Sequence, residues 1–546
     1  MTATALRRTG TLLFSLAVLY LALVLPSRPS WLTANRLTEL PLELPVVAFA
    51  LIALSARPRL ARAMATILAI LLCVTVLLRL ADLVTYEAFS RPFNPVIDRF
   101  MLPAALDLMT GTLGRVGAAL GIVALLIVLA VLALALLAAL RRLARPGPGP
   151  GPRRAAGIGA VVVAFLGIAD AGRGLDLWRL PAEPPGITRT TQVIPRHLSR
   201  MAEATRTLAA FRSATATDPF PGRTDLLNLL DGRDVVVLFI ESYGRASFDN
   251  PLYAATHTAT LQRAADEIAG AGLFMRSGWL TSPTAGGQSW LAHGTFASGL
   301  RTGDQARYDA MLASDRRSLW HLAGDAGYRT ATIMPAITAP WPEGAMLGFE
   351  TVLAADDLGY AGDPFNWVTM PDQYTLSAYP ARLGDDLRSD FVQVALISSH
   401  APWVPIPPVI DWAEVGDGAV FDEWANSGDP PSVVWRDRDR VRAQYRLAID
   451  YALQVAFSFI ARAAEGDPAD APLFVVLGDH QPAGFVAQGD SRDVPVHLVG
   501  PPDAMALFDD WAYSGGLVPG ADAPVWPMEA FRDRFVGATS SGQGGR

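Results

Sequence analysis

Five apolar runs dominate the first third of the chain, at residues 10–26, 42–55, 64–84, 116–140 and 155–169. A helix needs about 20 apolar residues to cross a bilayer, a length that the third and fourth runs meet readily. The pattern predicts an anchor of five transmembrane helices over 1–171, the second of them short. Residues 85–112 interleave aromatics, prolines and charges, and form the longest predicted outer loop, an interfacial segment packed beneath an outer domain. Residues 172–230 are rich in Pro and Thr with weak periodicity, and predict a juxtamembrane connector.

From about residue 231 the pattern changes to short apolar runs alternating with amphipathic stretches. This alternation predicts an α/β domain over 231–536, with a mostly parallel central sheet and helices on both faces. The clearest strands are 235–240, 330–334, 392–397 and 473–477, and the helical stretches include 258–271, 318–326 and 440–464. The Gly- and Ser-rich C-terminus, 537–546, predicts a disordered tail.

Composition adds a compartment. The 546 residues are 51% hydrophobic and 18% charged, with a mean hydropathy of +0.27, which excludes disorder and argues against an ordinary cytosolic protein. The net charge of −7 is uneven: residues 1–171 hold 16 Arg against 7 acids, a net +9, and the remainder carries −16. The arginines flank alternate spans, at 7–8, 57–62 and 141–154, so these loops are expected on the cytoplasmic side. With five crossings the N-terminus is cytoplasmic and the acidic domain extracytoplasmic, in a multi-pass protein of the cell (inner) membrane whose outer domain is periplasmic. An acidic outer domain without basic runs argues against nucleic-acid binding. The single cysteine, Cys73, lies in an apolar run and excludes an intrachain disulfide or a cysteine metal site.

All seven histidines fall in the acidic part. In open α/β sheets, ligands sit beyond the carboxyl ends of the strands. The first strand runs into Glu241-Ser242, the third ends Ser398-Ser399-His400, and the fourth ends Gly478-Asp479-His480. Each acid alone would read as a turn residue or helix cap, but three convergent polar ends point to a divalent-cation site. A set of two carboxylates and one imidazole suits one divalent metal ion, manganese preferred, with zinc or magnesium as alternatives. Between the first two strands, residues 277–300 are Gly-rich and then amphipathic, as in a loop opening a helix. A hydroxyl at that helix N-terminus meets free N–H groups and suits an anion, although Ser and Thr are favoured there as plain caps.

These pieces, VVVLFIES at 235–242, AGGQSWLAHGTFASG at 285–299, ISSHAPWVP at 397–405 and VVLGDHQP at 475–482, resemble the alkaline phosphatase/sulfatase superfamily. More closely, with the preceding spans, they resemble its membrane-anchored branch of lipoteichoic acid synthases and phosphoethanolamine transferases. The resemblance implies an alkaline phosphatase-like fold and metal ligands Glu241, Asp479, His480 and the nucleophile itself. Counting nine residues back from Ser298-Gly299, the family's spacing gives Ser289 as nucleophile, with Thr284 as the competitor. Leu291 and His293 stand where sulfatases carry Pro and Arg, which argues against a formylglycine sulfatase. His400 and Trp341 resemble substrate-binding residues of the synthases. Glu343 replaces a basic residue of theirs, which weakens the case for glycerol phosphate. His497, in an alternating VPVHLVG run, reads as structural.

The implied activity is metal-dependent transfer of a phospho-group, of phosphoglycerol or phosphoethanolamine type, from a membrane phospholipid or lipid-linked glycan through a covalent Ser289 intermediate. Two alternatives stand beside it: a phosphodiesterase, phosphatase or sulfuric-ester hydrolase of the same superfamily, and a non-catalytic binding protein of the same fold.

Overall fold

A computed structural model describes residues 3–33, 38–145, 149–175, 177–179 and 186–542. They fall into two compact units, one made of residues up to Glu87 with Arg91–Thr207, the other of Ala88–Ser90 with the chain from Leu208 onward.

The first unit holds helices α1 (Ala3–Val24), α2 (Glu43–Leu54), α3 (Pro58–Phe89) as far as Glu87, α4 (Met101–Leu143), α5 (Pro150–Gly174) and α6 (Thr190–Thr215) as far as Thr207. Among the described residues, three stretches are long and apolar enough to cross a membrane: Pro58–Phe89, Gly114–Leu143 and Pro150–Gly174. Their outward side chains are apolar and exposed, as in Leu125, Val128, Ile158 and Phe165, which is the surface lipid would cover. The sequence predicts five spans. Thr9–Val24 and Glu43–Leu54 are shorter apolar helices, and the 12 residues of α2 rise about 18 Å, against a hydrocarbon core of roughly 30 Å. Small residues let α2 lie close to α5, with a Cβ at Gly159 reaching 3.2 Å from the Phe49 ring. The predicted outer loop 85–112 is largely helical: α3 continues to Phe89, and α4 starts at Met101 with a break at Gly114, whose φ is +70°. The segment 172–230, expected as a connector, contains the 26-residue helix α6, which tolerates Pro195 in its first turns.

The second unit is a sheet between two helical layers. Its strands are β1 (Val235–Ile240), β2 (Phe274–Thr281), β3 (Arg329–Met334), β4 (Thr351–Ala354), β5 (Asp390–Leu396), β6 (Leu473–Gly478), β7 (Asp493–Gly500), β8 (Ser514–Gly515) and β9 (Val525–Pro527). Its main helices are α7 (Ala254–Gly270), α8 (Ser289–Ser298), α9 (Asp372–Leu383), α10 (Arg438–Arg462) and α11 (Phe531–Ala538). The order is β4-β3-β5-β1-β6-β7-β2-β8, with β9 beside β2. β4, β3, β5, β1 and β6 pair in parallel, whereas β7 is antiparallel to both β6 and β2. The sheet is therefore mixed. The chain between β6 and β7 carries only the four-residue helix Gly484–Ala487, too short to recross the sheet, so β7 returns antiparallel.

β1 is central and wholly buried. Val236, Leu238 and Ile240 join the core formed with α7, α9 and α10; Val235, Val237 and Phe239 join the opposite core with α8 and α11. Burial on both faces explains why β1, β5 and β6 read as continuous apolar runs. The C-terminus departs from the predicted free tail. α11 runs to Ala538, Thr539 and Ser540 are buried, the Leu227 N–H donates to Ser540 Oγ at 2.9 Å, and residues 543–546 lie outside the described residues.

Gly478, the last residue of β6, fixes how closely the β1 and β6 ends approach. A Cβ there would lie 1.7 Å from the Tyr243 carbonyl oxygen, which only backbone movement relieves. Gly478→Ala is expected to destabilise the fold by about 2 kcal/mol or more, read as a melting temperature several degrees lower for the detergent-solubilised chain.

Candidate active site and metal centre

Glu241 follows β1, and its carbonyl oxygen accepts from Ser399 Oγ at 2.7 Å, which ties the β1 end to the β5 end. Ser242, with φ of +59°, turns the chain so that its N–H donates to Asp479 Oδ1 at 2.8 Å. That oxygen also accepts from the His480 N–H at 2.6 Å, leaving Oδ2 directed at the imidazole, 3.7 Å from Nε2. The Tyr445 hydroxyl from α10 donates to the Ser242 carbonyl at 3.0 Å. Three strand ends are thereby cross-tied through their own backbone.

The loop 285–288 delivers the hydroxyl. Ala285 bridges to Gln481, and the Gly286 N–H donates to the Gln481 carbonyl at 2.7 Å. Gly286, Gly287 and Gln288 all have positive φ, a run of backbone that glycine makes accessible before α8 begins at Ser289. Ser289 Oγ donates to Glu241 Oε2 at 2.7 Å and lies 3.2 Å from His480 Nε2. Thr284 is buried, and its Oγ1 has no hydrogen-bond partner. Ser289 thus meets the acidic cluster through its hydroxyl, and Thr284 does not.

Glu241, Asp479 and His480 each offer a ligand atom, all within 4.8 Å of one another, and all three residues are buried. His480 Nδ1 lies 2.8 Å from the Gln481 carbonyl, an acceptor only. Nδ1 therefore carries the hydrogen in the neutral ring, and the Nε2 lone pair faces Glu241 Oε1 at 3.2 Å and Ser289. Among the described residues, His480 is the one ion-pair partner of these two buried carboxylates. This donor set fits a divalent cation: two hard carboxylates, one imidazole and one hydroxyl, with too few positive charges of the protein's own.

The electrostatics express that deficit. Burial raises the Asp479 carboxyl well above the usual carboxylate range, and the Glu241 charge adds to it. At Glu241 burial also pushes upward, but the His480 and His400 charges outweigh it and hold the group well below its usual range. At His480 burial opposes the charged ring, yet Asp479 and Glu241 prevail and raise it to about 9. A proton on His480 serves as the cation of the cluster.

His400 is half-buried beyond β5. Its Nδ1 contacts the Ala401 carbonyl at 2.7 Å, and its ring meets Trp367 edge-on at 4.2 Å between centroids. Trp341 packs on Phe349, 6.5 Å between centroids, and makes no hydrogen bond to Glu241, Ser289, Asp479 or His480. His497 is buried within the sheet, with Nδ1 at 2.7 Å from Ser277 Oγ and Nε2 at 3.2 Å from the Tyr243 hydroxyl.

In the sequence His293 stands out only as a departure from the sulfatase pattern. It lies one turn after Ser289 on α8, buried, 4.1 Å from the Phe239 ring, with Nε2 lacking a partner. Burial lowers it to about 4, so it is neutral at pH 7. The i, i+4 spacing from Ser289 is the signal that puts it on the same helix face. Ser399 and Gln481, which brace Glu241 and His480, also belong to the site.

No protein-family model and no curated protein matches the chain. Among solved structures it is similar to the phosphoethanolamine transferase A, EptA, of Neisseria meningitidis (13% identity, TM-score 0.43), covering 87% of this chain and 84% of that one. It is also similar to the lipoteichoic acid synthase LtaP of Listeria monocytogenes (14%, TM-score 0.40; 61% and 78% covered). A third is the Streptococcus pyogenes phosphoglycerol transferase GacH, solved with sn-glycerol-1-phosphate (14%, TM-score 0.38; 62% and 82% covered). At these identities and scores the functional reading rests on the site's own geometry.

A bound cation must displace the His480 proton, so metal affinity is expected to rise with pH. The apparent dissociation constant for Mn²⁺ or Zn²⁺ should fall at least on the order of tenfold per pH unit below about pH 9, more steeply where the raised Asp479 carboxyl also gives up a proton. Calorimetric titration of the metal-free chain at several pH values checks this, and His480→Ala should abolish the stoichiometric site.

Proposed function

We propose that the chain is a metal-dependent phospho-group transferase acting on a lipid-linked donor through a covalent Ser289 intermediate. The observation that carries this reading is the Ser289 hydroxyl, at the N-terminus of α8, hydrogen-bonded into the Glu241–Asp479–His480 cluster. A nucleophile at a helix N-terminus also suits the phosphate it would attack, because the unsatisfied N–H groups and the dipole favour negative charge.

Glu241, Asp479, His480 and Ser289 would hold the ion, manganese in our preferred assignment and zinc or magnesium otherwise. When bound, it lowers the pKa of a coordinated hydroxyl and offsets charge on phosphate oxygens. Ser289 Oγ, whose proton is released to solvent, attacks phosphorus in line. The Oγ–P bond forms as the bond from phosphorus to the departing lipid oxygen breaks, and the departing oxygen takes up a proton. His400, beyond the β5 end, is our candidate donor of that proton. In the second half an acceptor hydroxyl attacks the same phosphorus and gives its proton to His400, the Oγ–P bond breaks, and Oγ takes a proton back from solvent. Trp341 is assigned to the substrate pocket on the resemblance. The first unit anchors the enzyme, and the catalytic unit faces the extracytoplasmic, periplasmic side, with the N-terminus in the cytoplasm.

With a fluorescent phospholipid donor and the metal-loaded enzyme, Ser289→Ala and Asp479→Ala are each expected to lower turnover about a thousandfold or more. Thr284→Ala should leave turnover nearly unchanged. Retained activity in Ser289→Ala would refute the nucleophile assignment. Release of the headgroup to water, with none on an added acceptor alcohol, would make the enzyme a hydrolase.

A further inference from the structure

His400 stands on a stretch of chain that is held by residues the catalytic reading does not use. β5 ends at Leu396, and residues 397–400 turn, with the His400 N–H donating to the Ile397 carbonyl at 3.0 Å. Ser399, inside that turn, braces the Glu241 carbonyl. From 397 to 411 the chain forms no helix or strand of its own. Such a segment lacks the ladder of backbone bonds that fixes a strand, so side-chain ties decide where His400 stands.

The first residues of α9 supply those ties. Asp372, which opens the helix, is wholly buried. Its Oδ1 accepts from the Ile397 N–H at 2.7 Å and from the Ser398 N–H at 2.8 Å. In return the Asp372 N–H donates to Ser398 Oγ at 2.8 Å. Gln373, also buried, holds the far end: its Nε2 donates to the Ile410 carbonyl at 2.7 Å, and its Oε1 accepts from the Ile410 N–H at 3.1 Å. Two consecutive side chains thus grip both ends of the 397–410 loop.

An acid in the first turn of a helix is ordinarily explained by the dipole or by capping of the helix's own N–H groups. Asp372 spends its carboxylate on the end of β5 instead. Taking a carboxylate out of water is costly: burial raises this one to about 6, and the Glu241 charge adds to the rise. Hydrogen bonds to a carboxylate are roughly twice as strong as neutral ones, so two of them fix the turn firmly. His400 follows two residues after the second of these N–H groups. The Ala401 carbonyl and the Trp367 ring orient its imidazole, and the 397–400 turn sets where it stands.

We propose that Asp372 is a positioning residue that places His400 for proton transfer to the departing lipid oxygen, acting through the backbone of Ile397 and Ser398. The role rests on the transferase reading and on the place it gives His400. Proton transfer needs hydrogen-bond reach, and a shift of about 1 Å at a reacting group can cost up to about a hundredfold in rate. Glu241, Asp479, His480 and Ser289 are carried by β1, β6 and α8, so the loss falls on the His400 step.

A double-variant cycle with the metal-loaded full chain and a fluorescent phospholipid tests this. Asp372→Ala should lower kcat about tenfold or more in the native background, and less than about twofold where His400→Ala is already present. Asp372→Asn keeps an acceptor oxygen at the same place and should restore kcat to within about threefold of native. Ser398→Ala removes the return bond and is the milder variant should Asp372→Ala fail to fold; about a threefold loss is expected, again absent with His400→Ala. Hydrogen–deuterium exchange of the peptide 397–405 should be faster in Asp372→Ala and close to native in Asp372→Asn. Equal losses in the two His400 backgrounds, no loss at all, or unchanged exchange would overturn the inference and leave the transferase reading standing. A native chain that turns over no phospholipid would refute the transferase reading and this role with it.

Discussion

Two carboxylates, Glu241 and Asp479, are buried at the carboxyl edge of a sheet with one imidazole as their ionic partner. Like charges removed from water repel strongly and lose their hydration, so such a pair persists only with a cation between them. In the protein alone a proton on His480 fills that place, which is why burial fails to keep the ring neutral. A divalent ion fills it better, and the surrounding structure is organised around that need.

The supports are backbone groups, which hold position more rigidly than long side chains. The Ser242 and His480 N–H groups fix one Asp479 oxygen, the Gln481 carbonyl fixes the His480 ring, and Ser399 fixes the Glu241 main chain. Gly478 lets β6 end against Tyr243, and the Gly286–Gln288 turn brings Ser289 to the cluster from a different part of the chain. The site is therefore a property of the sheet edge, and its geometry inherits the rigidity of a doubly buried β1.

Much of this was legible in the sequence because β1, β5 and β6 are buried on both faces and read as unbroken apolar runs. Their ends mark Glu241, His400 and Asp479-His480, and the structure brings Ser289 to Glu241 and His480. Other elements left weaker traces. β2 varies from exposed at Phe274 to buried at Trp279 and Leu280, β4 has only four residues, and the direction of β7 depends on a connection that no periodicity encodes. The ordering of Ser540 and Ser541 depends on Leu227 and Asn228, more than 300 residues away, so local composition misread it. Ser399 and Gln481 matter through tertiary proximity, and His293 through its i, i+4 place after Ser289 on α8. Arg79 and Asp82, polar residues inside the apolar stretch of α3, were visible in the sequence, but their partners on α1 and α6 were not.

The central claim is that the hydroxyl held by this carboxylate–imidazole cluster is a nucleophile toward a lipid phosphate. Intact-protein mass spectrometry after incubation of the metal-loaded chain with membrane phospholipids tests it most directly. The account predicts an added mass equal to one phospho-headgroup, mapped by peptide fragmentation to Ser289 and absent from Ser289→Ala. An adduct on Thr284 or another residue, or turnover of the lipid with no adduct under rapid quenching, would contradict it.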